Sequence, residues 1–173
     1  MHYNNAFLPK FGPLIDMVEQ LSGKSAISSG LLTPFTISMA EFAKQISSEA
    51  RKKGMEYLNN LDKLFNPIFD KYDIILSPTA PLETIKLGEI SPQDQFIDRK
   101  AKLEKLLSLT AICNAVGNPA MSVPLSFSKD TDLPIGSMFQ ANIGNDKMLY
   151  ELAYELEAAK PWKNDWAPNS INF

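Results

Sequence analysis

The chain has 173 residues, 17 basic and 20 acidic side chains and one histidine, for a net charge of −3, and at this length one domain is the default expectation. With 45% hydrophobic residues, 8 Gly and 12 Pro, collagen-like, low-complexity and disordered organisations are excluded. The charge balance offers no basic face for nucleic acid, and a single cysteine, Cys113, excludes an intrachain disulfide and a cysteine-rich zinc site.

No apolar run reaches the ~18 residues that cross a bilayer, and Met1-His2-Tyr3-Asn4-Asn5-Ala6 lacks a charged segment followed by an apolar one. A cytoplasmic protein with no membrane or nucleic-acid partner is expected. From Phe7 to Leu32 the breakers Pro9, Gly12, Pro13, Gly23 and Gly30 punctuate the chain. Leu14, Ile15, Met17, Val18 and Leu21 recur between them at helical spacing, which predicts one short helix in otherwise irregular chain.

Ser38-Met39-Ala40-Glu41 matches a capping box, and small or apolar residues follow at Phe42, Ile46, Ala50, Gly54, Tyr57, Leu61 and Phe65, one stripe along a helix. A helix from Ser38 to Phe65 would be about 42 Å long at 1.5 Å per residue. It would span a domain about 40 Å across, which suggests a larger parent body. Asn66-Pro67 predicts a kink or restart. Tyr72-Asp73-Ile74-Ile75-Leu76-Ser77-Pro78-Thr79 reads as a strand buried on both faces, and Ala80 to Gln95 as a loop.

A second amphipathic helix is predicted over Asp98 to Val116, with Gly117 placed to end it in a left-handed conformation. Two strands follow, Ala120 to Phe127 and Ile135 to Asn142. The polar turn from Ser128 to Asp132 joins them, and Pro124 pushes the first towards an edge or a bulge. The last helix runs from Asp146 to Ala159 and stops at Lys160-Pro161, and the chain from Trp162 onwards reads as loose. Alternating helices and short strands predict an α/β architecture: layered helices around a short mixed sheet, in a single domain over 1–173 with 163–173 as a loose tail.

The chemistry is notable for what the pattern lacks. His2 is the only imidazole and sits at a terminus expected to fray, so a Ser-His-Asp or Cys-His arrangement has no base to use. Phosphate-cradling glycine patterns and His-Glu-x-x-His are absent, and metal binding would have to rest on scattered carboxylates, for which no ligand spacing stands out. Ser25, Ser28 and Ser29 read as a surface turn, and Cys113 as a buried, inert thiol.

Four segments in series carry a resemblance: Tyr72 to Thr79, Asn114 to Pro124, Leu133-Pro134-Ile135-Gly136, and Leu152 to Trp162. Their order and spacing resemble the C-terminal part of the amidase signature family, across roughly Phe35 to Trp162. The run Leu133 to Ala141 is most similar to the bacterial amidases grouped with 6-aminohexanoate cyclic dimer hydrolase. What the resemblance implies is a serine amidohydrolase that cleaves carboxamides without metal or organic cofactor, through a serine, a second serine in a cis peptide linkage and a lysine. None of those three positions exists in this chain, so the catalytic set here is empty, and the chain is expected to be an inactive C-terminal fragment. The resemblance also makes Asn114, Val116 and Gly117 the candidates for shaping the substrate cleft. Its implied partners are an amide substrate and, in a split enzyme, the N-terminal amidase portion. A self-associating, non-catalytic module is the alternative, its exposed apolar face predicting a homo-oligomer. Two departures from the family are Val116, where threonine is common, and Asp132, where glycine is frequent.

Overall fold

Alternation of helical and extended periodicity produces nine α-helices and three strands among the described residues, which are 2–163 and 165 of the computed structural model. The contacts divide the chain into two compact units, Met1–Phe65 with Ile85–Leu107, and Asn66–Thr84 with Ser108–Phe173.

The first unit is helical. Helix α1 is His2–Phe7 and α2 is Gly12–Ser22. Pro13 occupies the first turn of α2, where its missing N–H costs nothing, so a residue that reads as a breaker is in fact a helix start. The expected fraying of His2 is overturned: it opens α1 and its ring stacks on Tyr57 at 4.9 Å. Helix α3 is the single turn Ala26–Ser29.

The expected long helix from Ser38 to Phe65 is also overturned. Three helices replace it: α4 (Pro34–Lys44), α5 (Ser48–Leu58) and α6 (Leu61–Phe65). Thr33, not Ser38, caps α4, its hydroxyl accepting from the Thr36 N–H at 3.3 Å with Pro34 next in line. Ser47 turns extended and its hydroxyl accepts from the Ala50 N–H at 3.1 Å, restarting the chain as α5. The apolar stripe runs on through this break because helical spacing survives a short interruption. A cap written in one serine is a weaker signal than seven periodic residues.

Ser38 is used differently. Its hydroxyl donates to the Phe35 carbonyl at 3.0 Å and accepts from the Phe96 N–H at 2.8 Å, tying α4 to the start of α7 (Phe96–Leu107). Phe96 is buried with Leu8 and Ala43, and its ring lies 5.6 Å from Phe35 and 5.4 Å from Phe42. Burying one such ring contributes about 1.5–3 kcal/mol.

The second unit is built on the sheet. Strand β1 is Ile74–Pro78, β2 is Ala120–Phe127 and β3 is Pro134–Ala141, in the order β1-β3-β2. Both pairings are antiparallel, where a mixed sheet was expected. The register joins Ile75 and Ala120 to Gln140, and Ser77 and Ser122 to Met138. It shifts between Val123 and Ser126, the irregularity that Pro124 imposes on an edge strand. The hairpin closes through Ser128, whose N–H donates to the Leu133 carbonyl at 2.8 Å. Asp132 adopts φ +55°, a left-handed position that explains why glycine suits it.

Strand β1 is not covered on both faces. Leu76 is 63% exposed, because a continuous apolar run reports that both faces can be buried, not that both are. The expected single helix from Asp98 to Val116 is two, α7 and α8 (Thr110–Val116). Helix α9, Asp146–Ala159, lays Leu149 against Val123, Phe139 and Ala141, with Leu152, Leu156 and Trp162 alongside. Trp162 is therefore packed, not loose. Of the tail expected over 163–173, only Lys163 and Asp165 fall within the described residues.

Gly54 sets the approach of α1 to α5. A Cβ there would lie 2.7 Å from the His2 carbonyl oxygen and 2.9 Å from the Ala6 nitrogen, both backbone atoms. Alanine in a helix interior is favoured over glycine by ~1 kcal/mol, and overpacking against backbone atoms, which yield little, falls in the upper part of the usual range, about 2–3 kcal/mol. Gly54→Ala is expected to destabilise by about 1–2 kcal/mol in urea unfolding; an unchanged or raised midpoint would show that α1 does not pack there.

Candidate functional site

The resemblance directs attention to the turn from α8 into β2. Cys113 and Val116, three residues apart, face the interior, each 7% exposed, while Asn114 points outward. Gly117 ends the helix at φ +79°, its N–H donating to the Cys113 carbonyl at 2.9 Å. This conformation is what places glycine there. Asn114 and Gly117 are thus presented at the surface. Val116 is not, and its valine suits an apolar floor where a threonine hydroxyl would need a partner.

Asn118 is the residue that sequence reading passed over. It is 6% exposed, and its Nδ2 donates to Asn66 Oδ1 at 3.1 Å, pinning the turn to the short 3-10 segment Asn66–Asp70. Its Oδ1 and the Nε2 of Gln140, 3% exposed on β3, are buried without a hydrogen-bond partner. The available signal was a polar residue at the entry to an apolar strand, between Gly117 and Pro119.

Further along the sheet, the edge strands meet over a gap in the central one. Thr79 Oγ1 and Ser122 Oγ lie 2.5 Å apart, and a Cβ on Gly136 would stand 2.5 and 2.6 Å from them. The Thr79 N–H donates to the Gly136 carbonyl at 2.8 Å. Gly136, in the third resemblance segment, is therefore required by close approach and not by its backbone angles.

The candidate nucleophiles are occupied. Ser25 caps α3, accepting from the Ser28 N–H at 3.2 Å, with the two hydroxyls 2.8 Å apart, and Ser29 Oγ donates to the Ala26 carbonyl at 2.8 Å. Burial pushes the Cys113 thiol above its ordinary value, away from reactivity. Among the described residues no cluster of three His, Cys, Asp or Glu side chains could hold a metal, and no helix is long and apolar enough to cross a membrane.

A mycobacterial protein that carries the name amidase AmiC (Mycobacterium leprae) is 39% identical over 112 residues, 64% of this chain and 23% of that protein. A glutamyl-tRNA(Gln) amidotransferase polypeptide (Maridesulfovibrio salexigens) is 30% identical over 112 residues, 64% of this chain and 21% of that protein. The structure of 6-aminohexanoate cyclic dimer hydrolase complexed with substrate superposes on 99% of this chain and 36% of its own, at TM-score 0.80 and 23% identity. At that identity the likeness is one of fold, and the fold is α/β, of the amidase signature type. The family model described as Amidase matches residues 10–150, so this chain belongs to the amidase family. It spans less than a quarter of the curated relatives it matches.

Gly136→Ala is expected to destabilise by about 1–3 kcal/mol through overpacking, with Ser122→Ala in the same chain recovering part of the loss; strict additivity in the double-mutant cycle would contradict the contact. A raised thiol pKa keeps the native chain protonated where the unfolded chain is ionised. The Cys113 contribution to stability is therefore intact below the ordinary thiol range of ~8.5 and declines as pH rises towards the folded value. The difference between wild type and Cys113→Ala in unfolding free energy should shrink above that pH. A thiol reagent should label the native chain slowly and the unfolded chain fast, and equal rates would refute the burial.

Proposed function

We propose that this chain is the C-terminal, substrate-cleft portion of a serine amidohydrolase whose Ser-cisSer-Lys triad lies on polypeptide outside these 173 residues. The observation that carries the reading is the family match over residues 10–150 in a chain that aligns with 23% of AmiC. In this reading the chemistry divides cleanly. Carboxamide hydrolysis needs an activated nucleophile and a base within hydrogen-bond reach of it. The hydroxyls of Ser25, Ser28 and Ser29 instead serve helix capping. This chain's part is to wall the cleft: Asn114 and Gly117 supply its polar surface and exposed backbone, and Val116 the apolar support beneath. The substrate is a carboxamide, linear or cyclic, and no metal or organic cofactor takes part.

The alternative reading, a self-associating module that keeps the amidase scaffold, draws on exposed apolar side chains, Leu21 at 80% and Leu31 at 68% among them. Where such side chains form one contiguous patch, they mark a surface that another chain covers. A sedimentation coefficient that stays monomeric at high concentration would argue against it.

The deciding measurement is amide hydrolysis. The 173-residue chain alone is expected to show no turnover above background. Combined with an N-terminal amidase portion that carries the Gly-Ser-rich signature, it is expected to turn over, with Asn114→Ala raising KM more than it lowers kcat. Robust turnover by the chain alone would overturn the proposal.

A further inference from the structure

The sheet has two outer edges, and they are built differently. Along β2 the edge is guarded: Pro124 has no N–H to offer, the register shifts between Val123 and Ser126, and Lys160 Nζ donates to the Leu125 carbonyl. Along β1 the register runs without a shift from Ile74 opposite Ala141 to Pro78 opposite Ser137, and Ile74-Ile75-Leu76 carries no charge. The alternation of an antiparallel ladder determines which groups this edge offers. Thr79 and Gly136 form a hydrogen-bonded pair, so Ser77 and Ile75 also turn their backbone groups towards β3. Ile74 and Leu76 therefore turn theirs outward, each with an N–H and a C=O that have no ladder partner among the described residues.

The side chains agree with the backbone. Ile74 and Leu76 share the face that bears Phe139 and Ala141, where α9 packs on β3 and β2. This apolar face continues past the helix onto β1, where Leu76 is 63% exposed, and Tyr72, just ahead of the strand, is 61% exposed. A flat, uncharged edge beside uncovered apolar side chains is a template for another strand.

The edge is complementary to itself. In a two-fold antiparallel pairing centred on Ile75, Ile74 stands opposite Leu76 of the second copy and Leu76 opposite its Ile74, so every outward N–H and C=O of these residues is paired. A pairing centred on Leu76 would set Ile74 against Pro78, which lacks an N–H, and lose a bond at each end. The register centred on Ile75 also brings Asp73 opposite Ser77, so no like charges face each other, and it lays Leu76 against an isoleucine that continues the apolar face. We propose that this edge binds a second copy of the chain, β1 against β1, joining the two three-stranded sheets into one. The pairing is independent of the catalytic reading. It gives the self-associating reading a specific surface, on the sheet unit and not at Leu21 or Leu31. An interface of this length falls below about 1,200 Å², the class of weak and transient complexes, so a dissociation constant on the order of 100 µM is expected.

The test is sedimentation velocity of the 173-residue chain over a concentration series up to about 1 mM, with amide hydrogen exchange measured at both ends of the series. A monomer–dimer equilibrium is expected, and exchange at Ile74 and Leu76 should slow as the dimer fills. Ala120 and Ser122, which the same alternation turns outward along β2, should exchange alike at both ends. Leu76→Lys replaces a side chain that already lies largely in water, so the fold is retained, and it should weaken the dimer at least about tenfold. Leu21→Lys, on α2, should leave the dimer unchanged. A chain that stays monomeric at about 1 mM overturns the proposal, as does Leu76→Lys dimerising like wild type with native circular dichroism. A dimer whose Ile74 and Leu76 amides exchange as in the monomer, or one abolished by Leu21→Lys, overturns the β1 edge while leaving self-association itself standing.

Discussion

Strand β3 is hydrogen-bonded on both edges, and the organisation of the sheet unit depends on that double pairing. Its register against β1 and β2 brings Thr79 and Ser122 together above Gly136. It also seats Gln140 beside Ala120 at the entry of β2 and aligns Phe139 and Ala141 with the apolar face of α9. A strand with one free edge could slip by a residue. One paired on both sides cannot do so without turning Phe139 and Ala141 away from the core and Gln140 into it. Gly136 is the point where this arrangement is least tolerant, because two hydroxyls already occupy the space above its Cα.

The helical unit depends on a different feature, the Phe96 anchor. A buried ring between Phe35 and Phe42 supplies the apolar contact, and one N–H to the Ser38 hydroxyl gives it direction. Burial alone would hold α7 near α4 without fixing how far the preceding loop slides along it. The hydrogen bond sets that position, and the Asp94–Arg99 pair reinforces it. Arg99 draws the Asp94 carboxyl below its ordinary range, assisted by the Ser91 N–H. The segment that carries Gln95 is thereby anchored on both sides.

The family match spans residues 10–150, and within it the serines between Ser25 and Ser29 serve capping. A fold does not carry a function with it, and a supporting wall can be well ordered while the reacting groups lie elsewhere. Two buried polar atoms, on Asn118 and Gln140, have no hydrogen-bond partner within the chain. Groups of this kind are where a scaffold is most sensitive to what is placed against it.

Local rules determined much of this protein. Pro124 within a short strand run specified β2 as an irregular edge strand, the spacing of Leu149, Leu152 and Leu156 specified α9, and Gly117 specified a helix end, because each depends on residues within a few positions of one another. Asp132 is different, since only the family resemblance marked it as a position where glycine is frequent, and its φ is +55°. Tertiary structure alone decided the rest. The break at Ser47 was hidden by a stripe that continues through it, and Ser38 serves a residue 58 positions away instead of its own helix. Gly54 and Gly136 are required by backbone or hydroxyls brought close from distant segments, and the exposure of Leu76 depends on which neighbours β1 finds. These features rest on contacts between residues far apart in the chain, and hydrophobic spacing records only that a face is apolar, not what comes to cover it.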